Sequence, residues 1–247
     1  WAWGGSQEDS NYQSTEILSS TLFRAYQSTG GGASGLSEQE FASRYMAYLI
    51  CAAVGAATST SPPASADDFA TLLMEADEGT TSFEGHPGGA FHKVIRWAFE
   101  KQGLYQPAGA PVPVASEGAP PEVDVYIDDG RDGEYDYLRN FWSSSDIWNR
   151  LSADGGTTHE TPVVGVENHL YVKVKNRGSE TAENVTVKAF HCEPATGLVW
   201  PDDWTPLETA ELTVPGGIAA GAEVVVGPFT WIPEVVGHEC VLASVDA

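Results

Sequence analysis

Six histidines, His86, His92, His159, His169, His191 and His238, are the side chains in this chain best suited to metal binding or proton transfer near neutral pH. None belongs to an HExxH run, and no GxSxG, Walker A or GxGxxG run occurs in the 247 residues. Only His86 and His92 lie close together. The Pro87-Gly88-Gly89 turn between them leads into a helix, so their spacing does not force them onto one face. Glu8, Asp9, Tyr12 and Glu84 lie beside predicted helix ends and Gly-rich turns, where sites often sit. With His86 and His92 they could form an acidic, aromatic-flanked hydrolase site, and paired carboxylates of that kind suit glycoside hydrolysis. The plainer reading is a loop histidine and a histidine at a helix N-terminus.

The densest carboxylate run is Asp124, Asp128, Asp129, Asp132, Glu134 and Asp136, with Gly130 and Gly133 inside it. Oxygen ligands at close spacing with glycines that permit a tight bend are what Ca²⁺ requires, although the spacing is not that of an EF-hand. We expect a calcium site at Asp124, Asp128, Asp129, Asp132 and Glu134; the alternative is a solvated acidic turn. Cys192 and Cys240 fall on separate predicted strands, each beside a histidine, His191 or His238. A disulfide between them is the favoured reading, and a metal site the alternative, because two cysteines without CxxC spacing make a weak zinc signature. Cys51 sits in the apolar run Tyr48-Leu49-Ile50-Cys51-Ala52-Ala53-Val54 and is expected to be a free, buried core residue. Trp142, Trp148, Trp200, Trp204 and Trp231 could stack on sugars or fill a partner's pocket, but alternation along strands buries such residues more often.

Thirty-five acidic and 12 basic side chains give a net charge of −23. That surface repels phosphate backbones and anionic membranes, so no nucleic-acid partner is expected. It also keeps a protein soluble, and it suits an extracellular medium containing salt or calcium. No apolar stretch reaches the roughly 20 residues needed for a membrane span. No leader is visible, and the opening at Trp1 without methionine suggests a processed or trimmed end.

Two periodicities divide the chain. Residues 1–105 carry helical patterning: about Gln13 to Ser28, with Ile17, Leu18, Thr21, Leu22 and Ala25 on one face and Gly30-Gly31-Gly32 ending it; about Ser37 to Val54; about Ala66 to Ala76; and about Ala90 to Gln102, closed by Gly103. Ser37 followed by Glu40 reads as a capping box for the second helix. Glu78 to Gly89 reads as loop. Residues 106–121 are a Pro-rich linker. In residues 122–247 the period changes to two: Val123 to Ile127, His169 to Lys175, Val185 to Ala189, Leu212 to Val214, Val224 to Trp231 and Val241 to Val245. The expected fold is α+β and multidomain: a small all-α domain, then an immunoglobulin-like β-sandwich.

Three helical stretches occur in a suggestive order: Tyr12 to Leu22, Phe69 to Asp77, and His92 to Leu104 with its Trp97-Ala98-Phe99 and Gly103-Leu104. They resemble the C-terminal helical subdomain of gluzincin metallopeptidases, nearest the fungalysin and thermolysin-like groups. The resemblance covers about the first hundred residues. It implies a zinc-dependent hydrolase whose HExxH helix and glutamate ligand lie upstream, so zinc would belong only to a longer protein. In that family a histidine supports the oxyanion four residues before the glutamate that aligns with Glu16; here that position is Tyr12, whose hydroxyl can also donate. The C-terminal part, through Tyr171 to Val187, Val224 to Trp231 and Gly237 to Asp246, resembles bacterial adhesion-type immunoglobulin-like domains of the CARDB kind. That implies an accessory binding role rather than an activity.

The expectation is therefore the C-terminal part of a secreted bacterial metallopeptidase-like protein, not catalytically complete alone. Tyr12, Glu16, His86 and His92 are its candidate catalytic residues. Its partners would be extracellular protein or polysaccharide and an upstream catalytic domain. The competing readings are a stand-alone extracellular adhesion protein and a hydrolase with an acidic site.

Overall fold

The computed structural model describes residues 11–57, 62–79, 82–105, 117–140, 142–195 and 198–247. The chain forms two compact units: Trp1–Pro120 with Glu134–Arg139, and Pro121–Gly133 with Asn140–Ala247. The fold is mixed α+β, with helices in the first unit and mainly antiparallel strands in the second. Among the described residues no helix is long and apolar enough to cross a membrane.

The first unit contains α1 (Asn11–Tyr26), α2 (Leu36–Ala56), α3 (Ala66–Glu78) and α4 (His92–Lys101). A π-helical turn, Gln27–Gly31, follows α1 and closes at Gly30, whose φ of 133° only glycine adopts readily. The stripe read from α1 packs as expected. Ile17, Thr21 and Ala25 are buried, and Leu18 and Leu22 lie partly buried against the same core. Tyr45, Leu49, Leu73, Ile95, Trp97 and Phe99 supply the largest side chains of that core. Burying aromatic and aliphatic side chains of this size stabilises by roughly 1.5–3 kcal/mol each.

Two local expectations need correction. The helix cap near Ser37 is not a capping box. Its N-cap is Gly35 with no side-chain cap, and the Ser37 hydroxyl bonds to Glu38 instead. The capping box stands one helix later: the Ser65 hydroxyl accepts from Asp68 N, and the Asp68 carboxylate accepts from Ser65 N, with aspartate in the place where glutamate is usual. The segment Glu78 to Gly89 is also not wholly loop. Glu78 ends α3, and β1 (Ser82–Phe83) pairs antiparallel with β2 (His86–Pro87).

Asp77 organises this part of the unit. It is fully buried, accepts from the Tyr45 hydroxyl and from Phe91 N, and its carbonyl accepts from Gly89 N. Burial, and then the Asp77 carboxylate, raise the Tyr45 pKa far above its ordinary value, so the phenol stays a donor.

The second unit has two antiparallel sheets. β5 (Asn168–Asn176) pairs with β8 (Glu223–Trp231) on one edge. Its other edge takes β3 (Val125–Tyr126) at one end and β4 (Ile147–Arg150) at the other. In the second sheet β6 (Thr186–Cys192) lies between β7 (Thr205–Thr213) and β9 (Cys240–Asp246). Leu170, Val172, Val174, Val226 and Phe229 from the first sheet share one buried cluster with Val187, Ala189 and Leu207 from the second. Their alternation follows from successive strand residues pointing to opposite faces. β4 carried too little alternation to be read from sequence. Trp148 at its centre is buried by stacking on Tyr171, and its indole N–H donates to Gly156 O.

Candidate functional site

The helical candidates lie on three elements: Tyr12 and Glu16 on α1, His86 on β2 and His92 at the start of α4. Glu16 is an exposed residue of α1, and Tyr12 lies in the first turn of the same helix. His86 is exposed on β2, with its ring 4.5 Å from that of Phe41. His92 opens α4, and its Nδ1 is 2.8 Å from the carbonyl of Gly89. Glu84, next to His86, is held by Arg44 through two hydrogen bonds of 2.6 and 2.7 Å. That ion pair keeps its carboxyl below the ordinary range, which suits neither a general acid nor a shared proton. Glu8 and Asp9 lie outside the described residues. Among the described residues no three His, Cys, Asp or Glu side chains are grouped to hold a metal. HExxH is absent from this sequence, so the zinc implied by the resemblance would have to be held by an upstream segment.

The acidic run separates onto different cations. Asp124 is buried and pairs with Arg177 at 2.8 Å. Asp129 pairs with Arg131 at 3.0 Å from Nε. Glu134 belongs to the helical unit, where it accepts from Trp97 Nε1 at 2.6 Å and lies 2.6 Å from Lys101 Nζ. Asp128 and Asp132 do meet, but around an ammonium: Lys175 Nζ is 2.7 Å from Asp128, 3.8 Å from Asp132 and 3.5 Å from Asp146. Asp146 was not among the sequence candidates. It lies one residue before β4, about a dozen positions beyond the Gly-rich turn, and it reaches this cluster because β4 runs antiparallel to β5, so that its start faces the end of β5 where β3 and the Asp128 turn lie. The acidic loop thus attracts a cation as its charge density suggests, and in this structure the cation is Lys175 from β5.

The cysteine expectation has a close geometric counterpart. Cys192 and Cys240 are direct cross-strand partners of β6 and β9. Both are free thiols here. Cys192 is buried, and burial together with Cys240 pushes its thiol up to about 11. His238 Nε2 lies 3.6 Å from Cys240 Sγ. On the neighbouring positions of the same strands, His191 Nδ1 contacts the Glu239 carboxylate. Cys51 departs from expectation: it is free, as read, but exposed rather than buried. The helix α2 turns Tyr45, Met46, Leu49 and Ala53 inward, and position 51 lies on the opposite face.

The tryptophans divide. Trp148 and Trp231 are buried, whereas Trp142 is 71% exposed and Trp200 is partly exposed with its ring edge-on to Phe190. Alternation alone does not separate the two groups, because Trp142 and Trp200 lie outside strands.

A family-model scan, a search of curated proteins and a search of solved structures each returned no match to this chain.

Proposed function

We propose that this chain is the C-terminal part of a secreted, metallopeptidase-like protein, in which the helical unit is a remnant or partner of a catalytic subdomain and the strand-rich unit binds extracellular protein or polysaccharide. The observation that carries the reading is the placement of the three resembling stretches. Tyr12 to Leu22 lies in α1, Phe69 to Asp77 in α3 and His92 to Lys101 in α4, and all three helices contribute to one hydrophobic core. In this reading Tyr12 and Glu16 line a cleft wall, and zinc enters only with an upstream HExxH segment. The strand-rich unit is proposed as an immunoglobulin-like sandwich of the adhesion type, on the grounds that its two antiparallel sheets share one buried cluster. Calcium at the acidic loop is retained as a proposal, in competition with the Lys175 ammonium for Asp128, Asp132 and Asp146.

The test has two arms. Peptide release by this chain alone, with added zinc, should be absent. The coding sequence upstream of Trp1 should contain HExxH followed by a helix bearing a glutamate. A start codon immediately before Trp1 would reject the reading in favour of a stand-alone adhesion protein. Proteolysis by the chain alone that is lost in His86→Ala would instead indicate a hydrolase site in the helical unit.

A further inference from the structure

Arg24 is a cation without a carboxylate in a chain that has 35 of them. Among the described residues it makes no ion pair and no hydrogen bond, and its Nε is buried without a partner. Its guanidinium lies 5.5 Å from the ring centroid of buried Trp97. That cation–π contact holds the side chain in place without satisfying its N–H groups. Gln102, just beyond α4, is only 7% exposed and lines the same cleft as Arg24. An unpaired buried donor costs about 1–3 kcal/mol, so the bare Arg24 Nε requires an explanation.

Both side chains line one cleft of about 690 Å³ in the helical unit, within the usual size range of small-ligand sites. Ser19, Ser20 and Phe23 of α1 form another part of its lining, together with Gln27 and Asp136. Phe23 is 59% exposed, an open aromatic face at the edge of the cleft. The set comprises a fork of guanidinium donors, an amide, two hydroxyls, a carboxylate and a flat apolar face. A carboxylate suits Arg24, which can bind it bidentately. Several hydroxyls suit Gln102, Ser19, Ser20 and Asp136, and a ring with one apolar face suits Phe23. We propose that this cleft binds a free hexuronate monosaccharide, whose single charge meets far less of the repulsion that a net charge of −23 exerts on a polyanion. The proposal stands apart from the metallopeptidase reading, because every residue it uses lies in the helical unit and none is assigned to catalysis.

The experiment is a ¹H–¹⁵N NMR titration of the full chain with sodium glucuronate, with sodium acetate and glucose as parallel arms at equal ionic strength. Glucuronate should produce saturable shifts at Arg24 Nε–H and the Gln102 side-chain amide, with a Kd on the order of millimolar, as expected for a monosaccharide in an open cleft. Arg24→Gln should weaken binding about tenfold or more. Gln102→Met, which keeps the packing volume, should weaken it severalfold with the thermal midpoint unchanged, and this variant decides the matter if Arg24→Gln fails to fold. Equal affinity for acetate would reduce the site to an unselective anion contact and overturn the proposal. Equal affinity for glucose would show that Arg24 reads no carboxylate and would overturn it too, as would shifts that do not saturate with glucuronate.

Discussion

Asp128 accepts from Lys175 Nζ at 2.7 Å and from the backbone N–H groups of Gly130 and Asp132 at 2.9 Å each. Burial alone would raise its pKa. The Lys175 ammonium and the two N–H groups outweigh burial and hold the carboxyl at about 2. An unfolded aspartate titrates near 4, so between roughly pH 4 and pH 2 the unfolded chain binds more protons at this position than the folded one. The resulting stabilisation is complete above about pH 4 and is lost as pH falls toward 2. Asp128→Asn should therefore lower the unfolding free energy by about 2 kcal/mol at pH 7, and the gap to the parent should close progressively below about pH 4. Urea unfolding at a series of pH values measures this; a gap that stays constant down to pH 3 would mean that the ion pair is not its source. Asn176 shows how much one residue can settle here. It is 1% exposed; its Oδ1 accepts from Asp124 N and Gly178 N, and its Nδ2 donates to Glu180 O and Ile218 O. The sequence identifies Asn176-Arg177-Gly178 as a turn. It does not show that the asparagine ties that turn to two distant segments, because those partners lie 52 and 42 positions away.

At the scale of elements, the pairing of β6 with β9 places Cys192 opposite Cys240, and opposed residues of an antiparallel pair have Cα atoms about 4.5–5.5 Å apart, inside the range a disulfide spans. Oxidation would close a loop of nearly fifty residues and stabilise the folded chain by up to about 4 kcal/mol in the chain-entropy model. Mild oxidation with a disulfide of the glutathione class should thus yield a Cys192–Cys240 bond, detected by peptide mapping without reductant, and a higher thermal midpoint than that of the reduced protein. Cys51 should alkylate in the native state, whereas Cys192 should resist. Two freely alkylating cysteines in β6 and β9 after oxidation would disprove the link. The strand pattern alone paired the right strands in general terms. It did not provide the register, which is fixed by seven consecutive partners from Thr186–Asp246 to Cys192–Cys240.

For the whole molecule the governing quantity is the charge of −23. Most of the few cations are already committed to carboxylates, as Arg44, Lys101, Arg150, Lys175 and Arg177 show, so the surplus acids repel one another. Raising NaCl from about 0.02 M to about 0.5 M shortens the Debye length from roughly 20 Å to under 5 Å and should raise the unfolding midpoint. A midpoint that falls with salt would mean that native ion pairs outweigh the general repulsion. The calcium proposal requires more: at equal ionic strength, CaCl₂ should raise the midpoint above the value in MgCl₂, and coincident curves would leave Lys175 as the cation held by Asp128, Asp132 and Asp146.

Helical periodicity in α1 and α4, the alternation of β5 and β9, the turn at Asn176-Arg177-Gly178 and the sign of the surface charge were all legible from residues close together in the chain, because propensity, periodicity and turn chemistry act over a few positions. The Ser65–Asp68 cap is equally local and was legible in principle, but aspartate at its third position did not match the usual glutamate pattern. Tertiary structure alone decided that Lys175 fills the acidic cluster, that Asp146 joins it, that Glu134 serves Trp97 and Lys101, that Cys51 faces outward, and that Arg24, its Nε unpaired, shares a cleft with Gln102. Each of these depends on which distant side chain arrives beside a given group. A charge or hydrogen-bonding group in one segment carries no record of its partner until packing brings the two within a few ångströms.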